Sequence, residues 1–416
     1  EEIKLPLARS IFPKENNNKY KILESTDISG SCGENLNYTL NNGILTIYGS
    51  GDMFDFNGIS PPWNSYKNSI ETVIIQENVT SIGNYSFSNY FSIKSVNILA
   101  DHIIIGDNAF NYCDELESIM ISGSISFIGY SAFFYCRSLT SFNISYGNTY
   151  ISSSAFVDCN KLISFIVPDG VSYIGDRAFH HCKSLELFSN STNCSYIGEY
   201  SFYNCEKLEF INITGPLQSI GSNAFYECSN LRFITLPDTI KEINQSSFYS
   251  TSIESLIIPD QCISIGSEAF SFCKYLLSIK FNKNLISIGN DAFSFCNALK
   301  CIDLPESIKS IGPKAFYYCK SLKIANISSQ IITIEQKMFS ECTSLESVYI
   351  SSNTITMVNE SSFSNCKELS IFDCPGTITY FAGWAFYQCG KLSFVNTSND
   401  ISYIGKSAFY NCNLTS

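Results

Sequence analysis

The sequence predicts a solenoid of stacked coils, not a compact domain, on two observations. A phenylalanine recurs at intervals of 23 residues, with single-residue lapses, at Phe87, Phe110, Phe133, Phe156, Phe179, Phe202, Phe225, Phe248, Phe270, Phe293, Phe316, Phe339, Phe363, Phe386 and Phe409. Thirteen of the fifteen units carry an isoleucine five positions before the phenylalanine, usually followed by glycine, and thirteen a cysteine three positions after it, as in Ile105-Gly106, Phe110 and Cys113. Fixed spacing at so many positions means one structural unit per repeat, each burying its core against its neighbours.

Taken in order, residues 1–27 read as an N-terminal extension and residues 28–69 as a cap over the first coil. Within the cap, Tyr38-Thr39-Leu40 and Ile44 to Ile47 flank Asn42-Gly43, a strong two-residue hairpin signal. Residues 70–416 form an array of about fifteen coils. In the coil from Leu231 to Ile240, Ile234 and Leu236 alternate with Phe233 and Thr235, the period of a strand with one buried face. Pro237 ends that strand because it cannot donate to a ladder, and Pro168, Pro259, Pro305 and Pro375 are its equivalents. The next segment, of the type Ser172-Tyr173-Ile174-Gly175, places a glycine where a tight or left-handed backbone is expected. A short helical turn is expected over Arg177 to Cys182. The residue before the phenylalanine is small in fourteen of fifteen units, Met338 being the exception, as close approach of neighbouring coils requires.

These positions resemble the 23-residue leucine-rich repeat of the BspA-like family, over about residues 70–416. The motif is carried by Leu299, Ile302, Leu304-Pro305, Ile311-Gly312, Ala315-Phe316 and Cys319. The stretch from Gly30-Ser31-Cys32-Gly33 to Pro61-Pro62-Trp63 is similar to the segment that precedes the repeats in that family. The resemblance implies a curved right-handed array of coils, with a parallel β-ladder on one face, short helical turns on the other side and a small N-terminal β cap. It also implies surface antigens and adhesins of bacteria and protists as relatives. Two zones depart from the pattern. Around Phe248 the unit is one residue short, with Asn244 for glycine and Thr251 for cysteine, and a kink is expected there. The second zone has Glu335 for glycine with Met338, then Val358-Asn359 with an extra residue, then Phe381-Ala382 with Trp384.

Composition narrows the function. A net charge of −12 and no basic stripe argue against a nucleic-acid partner. No run of 18 apolar residues exists, so any membrane attachment is expected through a segment outside this chain. The start at Glu1-Glu2 and the end just after Cys412 read as those of a trimmed ectodomain whose array continues past residue 416. Thirteen of the eighteen cysteines occupy one repeat position and are expected as buried, inert thiols; Cys32, Cys194, Cys262, Cys301 and Cys374 follow no period. Asn37, Asn78, Asn84, Asn143, Asn190, Asn193, Asn212, Asn244, Asn326, Asn359, Asn396 and Asn413 begin glycosylation sequons, an excess that suggests a secreted glycoprotein.

Chemistry is not expected. The histidines are His102 and the adjacent His180 and His181, read as an exposed pair on a turn, too few for a zinc site. No nucleophile elbow, phosphate loop or metalloprotease motif occurs, so no enzyme activity, cofactor or metal is predicted. Binding surfaces are legible column by column. The outward strand position reads Ser141, Ser164, Leu187, Phe210, Phe233, Ser255, Ser278, so three large apolar side chains in consecutive coils interrupt serines. With Ile166 and Ile257 in the next outward column, they form a candidate protein-binding patch. Phe127, Tyr150, Tyr173 and Tyr196 form a second, aromatic column. The sequence thus predicts a cell-surface or secreted adhesin that engages a host or extracellular matrix protein through a repeat face. The alternative is a structural scaffold that self-associates through its array.

Overall fold

The computed structural model of the chain describes residues 28–144, 146–147, 149–167, 170–188, 193–328, 330–351, 354–374, 378–397 and 401–414. The extension 1–27, Pro168, Pro375 and the sequon asparagine Asn190 lie outside the described residues.

The chain winds as a parallel β-solenoid with two ladders. One, the face ladder, stacks strands such as Thr72–Ile75, Ser95–Ile98 and Ser118–Ile121 in parallel register. The other, the edge ladder, stacks the short strands that precede each glycine, such as Ile103–Ile105, Ile125–Ile128 and Thr149–Ile151. At the N-terminus, Ile28–Ser31, Leu36–Asn41 and Ile44–Gly49 pair antiparallel, turning at Asn42 and Gly43 with φ of 47° and 78°, as a two-residue hairpin requires. Ile44–Gly49 then pairs in parallel with Thr72–Ile75, which joins these strands to the first coil.

The expected helical turns do not form. Among the described residues the one helical segment is the 3-10 turn Asn64–Tyr66. In place of helix, each segment from glycine to cysteine runs as a chain of tight turns. The amides of Ala109, Asn111 and Cys113 bond back to the carbonyls of Gly106, Asn108 and Phe110 in their own coil. The amides between them, of Asn108, Phe110 and Tyr112, bond forward to Tyr130, Ala132 and Phe134 in the next coil. In this coil the alternation satisfies all six amides, half locally and half between coils. It requires a left-handed residue two before and two after the phenylalanine. Asn108 and Tyr112, at φ 55° and 56°, are typical of a pattern that runs the length of the array.

The glycine expected at a tight or left-handed position is not left-handed. Its function is closeness: a Cβ on Gly221 would lie 2.4 Å from the Gly198 carbonyl oxygen, and one on Gly289 would lie 2.4 Å from the Ser267 nitrogen.

The fifteen phenylalanine rings form one continuous stack. Successive centroids are 5.1 to 5.5 Å apart and the rings lie within 10° of parallel. Trp63 heads the stack, 5.4 Å from Phe87 and fully buried, with its indole N–H donating to the Ser86 carbonyl. Beside the rings, each periodic cysteine donates its S–H to the phenylalanine carbonyl of the preceding coil, as Cys113 does to Phe87 at 3.2 Å and Cys228 to Phe202 at 3.0 Å. A cysteine suits this place because it is small, apolar and still a weak donor.

Neither irregular zone disturbs the stack. Phe225, Phe248 and Phe270 keep 5.3 Å spacing and stay within 9° of parallel, so the kink expected at the short unit is absent from the spine. Irregularity appears in the ladders instead. The edge ladder is continuous from Gly51–Asp52 to Ser310–Ile311 and is interrupted before Thr333–Ile334. The face ladder is divided into five sheets, one division falling between Phe233–Thr235 and Ser255–Ile257.

Candidate binding surface

The face ladder presents its outward residues as the period of two dictates. Ile166, Leu187, Phe210, Phe233 and Ile257 are all exposed, from 40% at Ile166 to 69% at Ile257. Phe210 pairs directly with Phe233, and Ser164 with Leu187, in parallel register. Among the described residues no ring contact joins Phe210 to Phe233, in contrast to the buried phenylalanines, so each keeps a face toward solvent. The patch spans two divisions of the face ladder, one between Leu187–Phe188 and Phe210–Asn212 and one between Phe233–Thr235 and Ser255–Ile257. At the second, the inward side chains Ile234 and Leu236 are half-buried, whereas the equivalent Ile302 and Leu304 are 1% exposed.

Two cavities flank that division. One, of approximately 630 Å³, is lined by residues that include Ile234, Leu236, Leu256, Ile257 and Lys280. The other, of approximately 380 Å³, is lined by residues that include Asn230, Arg232, Ser252, Glu254 and Lys274. They fall at the shortened unit: a regular unit has two residues between the cysteine and leucine positions, as in Cys228 to Leu231, and here one, Ser252, separates Thr251 from Ile253.

The aromatic column Phe127, Tyr150, Tyr173 and Tyr196 is a tight stack, with successive centroids 5.3, 4.2 and 4.6 Å apart. Each ring covers its neighbour's face, which leaves edges and hydroxyls to solvent. Burial, and a hydrogen bond to Asp176, push the Tyr196 phenol up to about 12. This geometry stabilises the ladder and offers little flat aromatic surface to a ligand. A further aromatic column, not anticipated, follows the phenylalanine: His180, Tyr203, Tyr226 and Tyr249 stack 4.8, 4.9 and 4.5 Å apart. The recurrence of tyrosine at that repeat position is the signal that would have found it.

The histidine pair is half-buried rather than exposed, because His180 lies flat against Tyr203 at 9°. His181 approaches Asp158 at 3.3 Å. Burial, with the neighbouring His181 charge second, holds the His180 imidazole down at about 4. Among the described residues no group of three or more histidine, cysteine or acidic side chains is arranged to hold a metal. Burial raises the Cys273 thiol to about 11, whereas Cys301 is exposed on the face ladder.

The sequons fall in three settings. Asn37, Asn78, Asn143, Asn193 and Asn413 are exposed. Asn212, Asn326 and Asn396 are half-buried on the face ladder, with the Asn396 amide donating to Asp373 at 2.8 Å. Asn84, Asn244 and Asn359 are half-buried at the start of the turn segment, where Asn84 Oδ1 accepts the Asp107 amide.

The family model described as BspA type leucine rich repeat region (6 copies) matches residues 64–186, 195–323 and 309–416. Among solved structures, a leucine-rich repeat protein from Bacteroides ovatus ATCC 8483 is similar over 90% of this chain and 94% of its own, at 24% identity and a TM-score of 0.60. A leucine-rich repeat protein from Eubacterium ventriosum ATCC 27560 is 20% identical over 94% of this chain and 96% of its own, with a TM-score of 0.42. A leucine rich cell surface protein from Faecalibacterium prausnitzii A2-165 is 22% identical over 90% of this chain and 96% of its own, with a TM-score of 0.43. No curated protein matches.

Proposed function

The chain belongs to the BspA-type leucine-rich repeat family, and from that premise we propose that it is a cell-surface or extracellular binding protein, an adhesin that holds a host or matrix protein against its face ladder. The observation that carries this reading is the patch of Ile166, Leu187, Phe210, Phe233 and Ile257, five exposed apolar side chains on neighbouring coils of one face. Such a patch is the usual mark of a partner site, and large aromatics at its centre supply most of the affinity in protein interfaces. Binding, not catalysis, is the role that a long repeat surface serves. The sequons at Asn143, Asn212, Asn326 and Asn396 stand in the adjacent outward column, so glycans there would frame the patch.

The test is the double variant Phe210→Asp with Phe233→Asp, assayed against immobilised extracellular matrix proteins and host-cell surfaces. Adhesion should fall at least about tenfold, the equivalent of 1.4 kcal/mol, while the melting temperature stays within a few degrees of the parent. Undiminished adhesion would retire the patch.

A further inference from the structure

We propose that the seam between Phe233–Thr235 and Ser255–Ile257 is a slot for an extended peptide segment of a partner protein, which lies along the seam and hydrogen-bonds to it through its main chain.

The seam is closed at both ends and open between them. Ser252 Oγ donates to the Ser229 carbonyl at 2.5 Å at one end, and the Ile263 amide donates to the Lys241 carbonyl at 2.8 Å at the other. Between these ties, among the described residues, no main-chain hydrogen bond joins the two coils. On one wall, Phe233 and Thr235 turn their polar groups back to the preceding coil: the Phe233 amide bonds to Glu209, and the Thr235 carbonyl accepts from Ile213. Alternation along a parallel strand therefore aims Ile234 into the seam. On the other wall, the Glu254 carbonyl accepts from Leu277 and the Ile258 amide bonds to Lys280 in the following coil, which leaves Ser255 and Ile257 aimed back into the seam. Unsatisfied main-chain groups beside half-buried Ile234 and Leu236 are matched by a ligand with alternating N–H and C=O groups and apolar side chains, which is an extended polypeptide.

Charge gives the slot a direction. Arg232, Lys274 and Glu254 line one end, while Asp238 and Lys280 line the other. Among the described residues Arg232 and Lys274 form no ion pair, whereas Lys183, Lys207, Lys323 and Lys391 each bond a glutamate in an adjoining coil. A segment with an acidic residue at the Arg232 end and a basic residue at the Asp238 end is complementary to both.

This inference rests on the reading of the face ladder as a binding surface, and its test is separable from that reading. The probes are the peptide Lys-Val-Thr-Val-Thr-Glu, its charge-reversed partner Glu-Val-Thr-Val-Thr-Lys, and the first peptide N-methylated at alternate amides. Binding is read by fluorescence anisotropy and by hydrogen exchange. One or both charged peptides should bind saturably and protect the amides of Ile234, Ser255 and Ile257, and N-methylation should weaken binding about tenfold or more, the worth of at least one main-chain hydrogen bond. Inserting one serine after Ser252 restores the regular unit, closes the seam and should abolish peptide binding. Should that variant not fold, Arg232→Gln with Lys274→Gln should erase the preference between the two charged peptides. Absence of amide protection by both charged peptides, equal binding of the N-methylated peptide, or undiminished binding by the inserted variant would overturn the slot. Phe210→Asp with Phe233→Asp leaves both walls' polar groups in place, so peptide binding retained by a variant that has lost adhesion would separate the two proposals.

Discussion

The coil of Phe248 and the coil of Phe339 are both irregular, and they open on opposite sides. At Phe248 a residue is missing between Thr251 and Ile253; the face ladder parts while the edge ladder runs through Glu242–Ile243 and Ser264–Ile265 without interruption. At Phe339 the glycine is replaced by Glu335; the edge ladder parts, while the face ladder pairs Cys301–Leu304, Ile324–Ile327 and Ser347–Ile350 in register. Each of these two breaks coincides with a local change of sequence, the face break at Phe248 with a shortened connection and the edge break with Glu335. A side chain at the glycine site is not enough to part the edge, because Ser152, Asn244 and Asn359 stand there with their amides still bonded to Ile128, Ile220 and Ile334 of the preceding coil. The ring stack crosses both coils, at 5.3 Å on each side of Phe248 and at 5.5 and 5.4 Å around Phe339. The stack and its turns are therefore the spine, and the two ladders can fail independently.

The largest effect is expected where the two regions agree. Phe225→Ala and Phe339→Ala should each cost about 3–5 kcal/mol, because each removes a fully buried ring from a packed stack; urea denaturation that shows less than about 1 kcal/mol at either would contradict a common spine. Next comes the glutamate at the edge break. Gly289→Glu reproduces the Glu335 arrangement in a regular coil and should cost about 1–3 kcal/mol through the crowded Cβ, with faster amide exchange at that position; parent-like stability would separate the glutamate from the break. The converse, Glu335→Gly, should slow exchange of the residue 335 amide as the ladder rejoins, and no change there would point to another cause for the break.

Smaller still is Thr251→Cys. Thr251 directs its hydroxyl to the Phe248 carbonyl of its own coil at 3.0 Å, where a thiol would turn to a phenylalanine carbonyl of the preceding coil, so one bond replaces another and the change should stay within about 0.5 kcal/mol. A larger shift in the denaturation midpoint would mean that the column demands sulfur. The subtlest effect involves acid. His180 is held near 4 against an ordinary 6.5, so between those values the folded chain binds fewer protons than the unfolded one. Its contribution is complete above pH 6.5 and is lost as pH falls toward 4. His180→Tyr extends the column of Tyr203, Tyr226 and Tyr249 and should flatten the melting profile across that window. Identical profiles for parent and variant would count against the assignment.

Much of this was legible in residue spacing. The phenylalanine period fixes the coil, the alternation in Phe233-Ile234-Thr235-Leu236 fixes the face ladder, and Asn42-Gly43 fixes the hairpin. The turn segment was misread because helix and a chain of tight turns bury the same residues, such as Ala109, Phe110 and Cys113. They differ in which amides reach the next coil, and spacing carries no record of that. The glycine of the Gly175 position was left open between a tight and a left-handed backbone for a related reason, since close approach and left-handed φ both select glycine. The exposed Leu187, Phe210 and Phe233 could be read as a column, but the seam beside them could not. It falls at one missing residue, whose effect depends on the neighbouring coil holding its own length.

Alternation of amides in the turn segment has a further consequence. Because local and forward bonds fall on successive residues, a residue gained or lost within that segment would exchange the two roles for the remainder of the coil, much as a shifted reading frame corrupts everything downstream. Isoleucine-position to cysteine-position length is accordingly the same in the regular coil of Phe110 and in the irregular coils of Phe248, Phe339 and Phe363: Ile105 to Cys113, Ile243 to Thr251, Ile334 to Cys342 and, past the added residue, Val358 to Cys366. The lost residue falls between Thr251 and Ile253, and the gained one between Ile350 and Val358, both outside the segment that must stay in phase. Changes of length, and the surface variety they bring, are thereby channelled to the two connections that flank the face ladder.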